Sequence, residues 1–192
     1  MRVLVACEFS GIVREAFRSR GHDATSCDVL PSELPGPHFQ GPVELLLEEP
    51  WDMMVAFPPC TYLAVSGARY FKDRRAQQLN AMAFVRLLIS ADIPRIALEN
   101  PVGVISTRYR KPDQIIQPWQ FGHPESKKTC LWLKGLPKLA PTNVLPLPAS
   151  GRWQNQTPSG QNRLGPSPDR ARNRSRTYQG IAEAMAHQWG KS

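Results

Sequence analysis

Two short runs in this 192-residue chain carry the side chains with the most chemistry in them: Phe57-Pro58-Pro59-Cys60 and Glu99-Asn100-Pro101. Each follows an apolar segment that reads as a buried strand, residues 51–56 and 93–98. In an open α/β sheet ligands bind outside the carboxyl ends of the strands, so both runs would present their polar residue to one rim. A thiolate is a good nucleophile, and a carboxylic acid beside it can protonate what the thiol attacks. That pairing suits an electron-poor ring that must be activated by covalent addition. A buried inert thiol or a strand-end acid would account for either residue alone; both at one rim favour the chemical reading.

The elements that must position these runs follow from periodicity. Residues 3–7 read as a first buried strand, and 11–20 as a helix with Val13, Ala16 and Phe17 on its apolar side, stopping at Gly21. Residues 24–27 suggest a second strand ending in Asp28, and the proline-rich stretch 31–42 a loop. A short helix is expected over 43–49. The longest helix is expected over 74–91, with Leu79, Met82, Ala83, Leu87 and Leu88 on one face. Residues 129–133 read as a late strand, in a hairpin with 115–119. This alternation predicts an α/β fold, a doubly wound and mostly parallel sheet.

From 136 to 176 the chain turns rich in Pro, Ser, Asn, Gln and Gly, which predicts loop or disorder contributing little core. A helix over 177–189 closes the chain. The expected organisation is therefore a catalytic domain from 1–135 plus 177–192, interrupted by a Pro/Arg-rich loop or minimal recognition segment over 136–176.

A formal charge of +8 favours a polyanionic partner. The excess is concentrated: six arginines (152, 163, 170, 172, 174 and 176) face a single acid, Asp169, in that stretch. Cys7, Cys27, Cys60 and Cys130 form no Cys-x-x-Cys pair and no zinc spacing with the histidines. Free thiols, no secretory signal and no apolar run of membrane-spanning length predict a cytoplasmic protein without metal or membrane.

The Pro-Cys and Glu-Asn runs, with Phe9-Ser10-Gly11, Ser66-Gly67, Phe121-Gly122-His123-Pro124 and the final helix, resemble the cytosine-5 DNA methyltransferases. The resemblance covers residues 1–135 and 176–190, in the manner of the abbreviated phage and prophage members whose DNA modification protects against restriction. It implies the Rossmann-like fold of the S-adenosylmethionine-dependent methyltransferases, that cofactor, and a duplex DNA partner with a flipped cytosine. It implies that Cys60 adds to ring carbon 6, Glu99 protonates ring nitrogen 3, and Asn100 braces the loop. Phe9, Ser10, Gly11, Asp28 and Pro58 would hold the cofactor, with Phe9 on adenine and Asp28 at the ribose. Ser66, Gly67 and Arg69 would close over the flipped base and its phosphates, and Arg170, Arg172 and Arg174 would grip phosphates.

Three departures from the family pattern stand out. The first turn has Gly11 but no further glycine, Pro42 stands where an acid is usual, and a third catalytic arginine is replaced. Lys127 takes that place by position, and Arg108, in Arg108-Tyr109-Arg110, competes for it. Other readings stay open: the same fold acting on a free cytosine nucleotide or RNA, transfer of a modified group, or a binder that has lost catalysis.

Overall fold

The computed structural model describes residues 1–159, 162–164, 167 and 170–191, leaving aside the side chains of Arg69, Tyr70 and Ala171. Seven strands form one sheet: β1 (Arg2–Ala6), β2 (Asp23–Asp28), β3 (His38–Gln40), β4 (Met53–Ala56), β5 (Arg95–Pro101), β6 (Gln114–Ile116) and β7 (Thr129–Lys134). Their order is β3-β2-β1-β4-β5-β7-β6. β7 alone runs antiparallel, to both β5 and β6. The sheet order reverses between β1 and β4, and a doubly wound sheet opens its ligand crevice at such a switch point.

The continuous apolar runs of β1 and β4 suit strands covered on both faces. Val3 and Val5 turn to one side, against α1 (Ile12–Arg18) and α5 (Gln179–Trp189). Leu4 and Ala6 turn to the other, against α2 (Arg75–Ser90) and Ile105 of α3 (Ile105–Arg108). Val13, Ala16 and Phe17 of α1 recur at helical spacing and are buried. Burying a side chain of Phe17's size contributes about 1.5–3 kcal/mol.

Three expectations need correcting. The buried stripe of α2 is Gln78, Met82, Val85, Leu88 and Ile89, while Leu79 and Leu87 are 60% and 42% exposed. The helix is rotated by one position because Gln78 is drawn inward, its Nε2 donating to the Tyr62 carbonyl at 3.1 Å. Second, the proline-rich stretch contains a strand, β3, paired parallel to β2 from Ser26↔His38 to Asp28↔Gln40. The prolines flank the three paired residues on a sheet edge, where no ladder donor is lost. Third, residues 136–159 are not mere linker. Leu139 and Trp153 are buried, Trp153 stacks on Trp119 at 6.2 Å, and the Gln114 amide exchanges hydrogen bonds with the Leu139 backbone. Prolines remove ladder donors but leave neighbouring side chains free to pack. A short helix, α4 (Arg170–Ser175), precedes α5, which starts two residues later than expected.

Candidate active site

The pairing Ala56↔Leu98 brings the exits of β4 and β5 level, so Phe57 and Glu99 leave the ladder side by side. Successive strand residues point to opposite faces. Glu99 therefore turns to the α5 side with Ala97, and Asn100 to the α2 side with Leu98. Asn100 is buried, and its Nδ2 donates to the Pro58 carbonyl at 2.8 Å, tying the Cys60 loop to β5.

A second tie lies beyond Cys60. Val65 N–H donates to the Val102 carbonyl and Val104 N–H to the Leu63 carbonyl, and Ala64 bridges Gly103. A Cβ on Gly103 would stand 2.0 Å from the Leu63 oxygen, so only glycine permits this approach. The loop carrying Cys60 is held on both sides to the strand carrying Glu99. Sequence reading had no local signal for Gly103, because its constraint comes from Leu63 across the sheet.

Glu99 lines a small cavity with Phe57, Lys127, Thr129, Tyr178 and Met185. The residue is half-buried, and its carboxyl accepts no hydrogen bond from any described residue. Burial pushes it above the usual carboxylate range, against the opposing pull of the Lys127 charge. Cys60, half-buried, is also pushed up, first by burial and then by the charge of Glu99, while Arg174 and Lys127 pull the other way. The Lys127 ammonium donates to the Arg174 carbonyl at 2.8 Å and lies 5.8 Å from the Tyr178 ring centre. Tyr178 in turn donates to Glu125 at 2.5 Å, and the Gly180 N–H donates to His123 Nε2 at 2.9 Å. These bonds fasten the start of α5 to the loop carrying Lys127.

The remaining residues expected at this end are dispersed. Arg108 is exposed at the end of α3, where its carbonyl accepts from Arg86, and Arg110 pairs with Asp113 at 2.8 Å. Neither lines the Glu99 cavity; Lys127 does. Ser66 is exposed and Gly67 half-buried in a 3-10 turn over Val65–Tyr70. The side chain of Arg69 lies outside the described residues. Arg170 opens α4. The arginines expected to be free for phosphates are partly engaged: Arg172 and Arg176 pair with Glu33 at 2.9 and 2.7 Å, and Arg174 is turned toward Cys60 and Tyr178.

At the neighbouring rim, Glu8 follows β1 and is buried. Its Oε1 accepts from Val13 N–H at 2.7 Å and Ser10 Oγ at 3.0 Å, and its Oε2 from Arg14 N–H at 3.3 Å. Glu8 thus caps α1 from outside the helix, a role no local cap motif announces. Cys7 beside it adopts φ 58, a strained conformation for a side chain with a Cβ. Phe9 is buried beneath the Arg172 guanidinium, 5.2 Å from its ring centre, and its carbonyl accepts from Glu33 N–H. Arg14 is fully buried and donates to the Leu34 and Pro35 carbonyls, holding the proline-rich loop over the helix start.

An aromatic ring at Phe9 and an acid at Asp28, at the tip of β2, suit a purine and its ribose hydroxyls. Pro58, buried behind them, is held by Asn100. Glu44 supplies a carboxylate two residues after Pro42, close enough that its charge raises both Cys7 and Cys27. The Gly11 side of the turn is filled by the chain itself. At φ 77, a Cβ there would meet Arg14 Nη2 at 2.7 Å and Leu34 Cβ at 3.0 Å. The residues fit the adenosine half of a sulfonium cofactor, at the carboxyl ends of β1 and β2.

No protein-family model matches this chain, and no curated protein matches it in sequence. Among solved structures, an Escherichia coli protein described as a DNA modification methyltransferase encoded within a prophage superposes with a TM-score of 0.51 at 16% identity. That match covers 79% of this chain and 53% of the other. An rRNA methylase from Escherichia coli and a 16S rRNA methylase superpose at 0.40 and 0.37, each at 16% identity over 69% of this chain and 55% of theirs. The chain spans about half the length of the solved structures it matches. What the first match shares is the fold: a mixed α/β domain with a mostly parallel, Rossmann-like sheet of methyltransferase type. Among the described residues no helix is long and apolar enough to cross a membrane, and no group of three His, Cys, Asp or Glu could hold a metal ion.

Proposed function

We propose that this chain is a nucleic-acid methyltransferase whose acceptor is carbon 5 of cytosine in DNA. The observation that carries the reading is Glu99: a carboxyl pushed up by burial, lining a cavity without a hydrogen-bond partner among the described residues, in the electrostatic reach of the Cys60 thiol. A protonated carboxylic acid can both donate to ring nitrogen 3 and recognise that edge of the base. S-adenosylmethionine, held by Phe9 and Asp28 at the carboxyl ends of β1 and β2, would supply an electrophilic methyl group.

The chain's own residues do the rest. Cys60 gives up its proton to solvent water and its sulfur bonds to ring carbon 6, while a proton from Glu99 passes to nitrogen 3. Electron density then gathers at carbon 5, which is otherwise too poor a nucleophile. After transfer, a water molecule takes the carbon 5 proton, the Cys60 sulfur leaves as thiolate, and nitrogen 3 returns its proton to Glu99. Lys127 and Arg174 stabilise the thiolate and the carboxylate formed between these events. Asn100 keeps the sulfur in register by holding Pro58. A ring reached from both sides must leave the base stack, so the acceptor is a flipped nucleotide.

Duplex DNA containing 5-fluorocytosine tests this reading, since fluorine blocks the final elimination. With S-adenosylmethionine the wild type should form a covalent adduct, and Cys60→Ala should abolish it. Cys7→Ala, Cys27→Ala and Cys130→Ala should keep it. An adduct that survives in Cys60→Ala would overturn the mechanism.

A further inference from the structure

Pro124, the segment 148–156 and Arg163 surround a second cavity of about 370 Å³ that shares no lining residue with the Glu99 cavity. Its size falls at the lower end of the range for ligand sites. Arg152 and Arg163 line it with Trp153, Gln154 and Gln156, and no acid does. Among the described residues neither arginine forms an ion pair with a carboxylate, whereas Arg172 and Arg176 both do.

The walls are built rather than loose. Trp153 is buried against Trp119 with the two rings 10° from parallel, and its N–H donates to Gln156 Oε1 at 3.0 Å. Arg163 donates from its backbone to the Asn155 carbonyl at 2.8 Å and from Nε to the Gln156 carbonyl at 2.7 Å. That second bond orients the guanidinium and leaves its terminal nitrogens for a ligand. Asn155 grips Ser126 in both directions, at 3.0 and 2.9 Å, one residue before Lys127. The cavity is therefore fixed relative to the loop that reaches Glu99.

Two uncompensated guanidinium groups with amide neighbours select an anion with several acceptor oxygens, and Arg matches phosphate oxygens in pairs. We propose that this cavity seats a backbone phosphate of the DNA, and so sets the register of the strand against Cys60. This rests on the proposed function only for the identity of the acceptor. The arginines of α4 are not equivalent, since binding through Arg172 would first have to break its pair with Glu33.

The test is the salt dependence of binding to a fluorescently labelled duplex, measured without cofactor for wild type, Arg152→Glu and Arg152→Ala/Arg163→Ala. Each lost phosphate contact removes about 0.9 from the slope of log affinity against log salt. Both arginines grip the same phosphate, so the double variant should lose roughly one unit of slope and roughly tenfold in affinity. Arg152 makes no side-chain hydrogen bond to a described residue, so Arg152→Glu keeps the fold, and it should weaken binding at least as much as the loss of one contact. An unchanged slope in Arg152→Glu overturns the proposal, as does a wild type that binds no duplex but accepts deoxycytidine monophosphate. The two readings fail separately. A flattened slope without a fluorocytosine adduct keeps the cavity and loses the cytosine chemistry; an adduct with an unaltered slope does the reverse.

Discussion

Glu8 and Glu99 leave neighbouring regions of the same rim, one after β1 and one near the end of β5, and burial pushes both carboxyls up. Their surroundings differ. Glu8 accepts from two backbone N–H groups and a hydroxyl, and feels the Arg14 charge. Glu99 has a cavity in front of it and only the Lys127 charge for compensation. A buried acid whose oxygens are all engaged is a structural part. One that lines a cavity, with burial favouring its protonated form, is placed to give a proton away. The contrast separates a carboxyl that holds the fold from one that the fold holds ready.

The widest separation should come from Glu99→Gln, which keeps shape and volume but has no acidic proton. Turnover on duplex DNA should fall roughly 100-fold or more, the scale of general-acid catalysis. Binding of the duplex should change little. A variant within a few-fold of wild type would place Glu99 with Glu8 among the structural acids. The mirror-image change, Glu8→Ala, strands the N–H groups of Val13 and Arg14 inside the protein and should cost about 1–3 kcal/mol in urea unfolding. Glu8→Gln, which keeps one acceptor oxygen, should cost less. A fully stable Glu8→Ala would mean that water replaces the cap.

The pH dependence of stability sharpens the same comparison. Both acids are raised in the folded state, so the native protein keeps protons that the unfolded chain has released above the ordinary carboxyl range. In that window the unfolded state binds fewer protons, and stability falls as pH rises through the folded values. Glu99→Gln removes one of these titrations. Its unfolding midpoint should fall less than wild type's between pH 5 and pH 8, leaving the less active protein relatively more stable at the higher pH. Equal losses in both proteins would mean that Glu99 ionises normally.

How much of this was legible before the structure follows from the range of each interaction. The alternating sheet was readable because Val3–Ala6 and Met53–Ala56 are local apolar runs, and the α/β fold class stands. That Cys60 and Glu99 share a rim followed from strand ends alone. Glu8 was not readable as a cap, because its partners lie on a helix whose start carries no side-chain cap of its own. The need for Gly103 came from Leu63, and the place of Arg174 near Cys60 from a segment that reads as linker. The face of α2 was misread by one position because a single long-range bond at Gln78 outweighed the leucines. Local pattern names elements and strand-end chemistry. The ties that aim them are long-range and leave no spacing to read.

The smallest expected effect concerns a third glutamate, which tests whether burial is what divides the other two. Glu33 is near the surface, and its bonds to Arg176 hold it below the usual carboxylate range, with Arg172 adding to the same effect. The sign is therefore opposite. Its contribution is present above the ordinary carboxyl range and is lost as pH falls through the lowered folded value. Solvent screens such pairs, so Glu33→Gln should cost less than about 1 kcal/mol at neutral pH. The cost should shrink in 1 M salt, where screening shortens to about 3 Å, and vanish in acid. The variant also loosens the clasp that keeps Arg172 over Phe9. If Glu33→Gln proved as costly as Glu8→Ala, and insensitive to salt, the clasp would be a structural joint of the cofactor rim, and the division between engaged and poised acids would no longer follow burial.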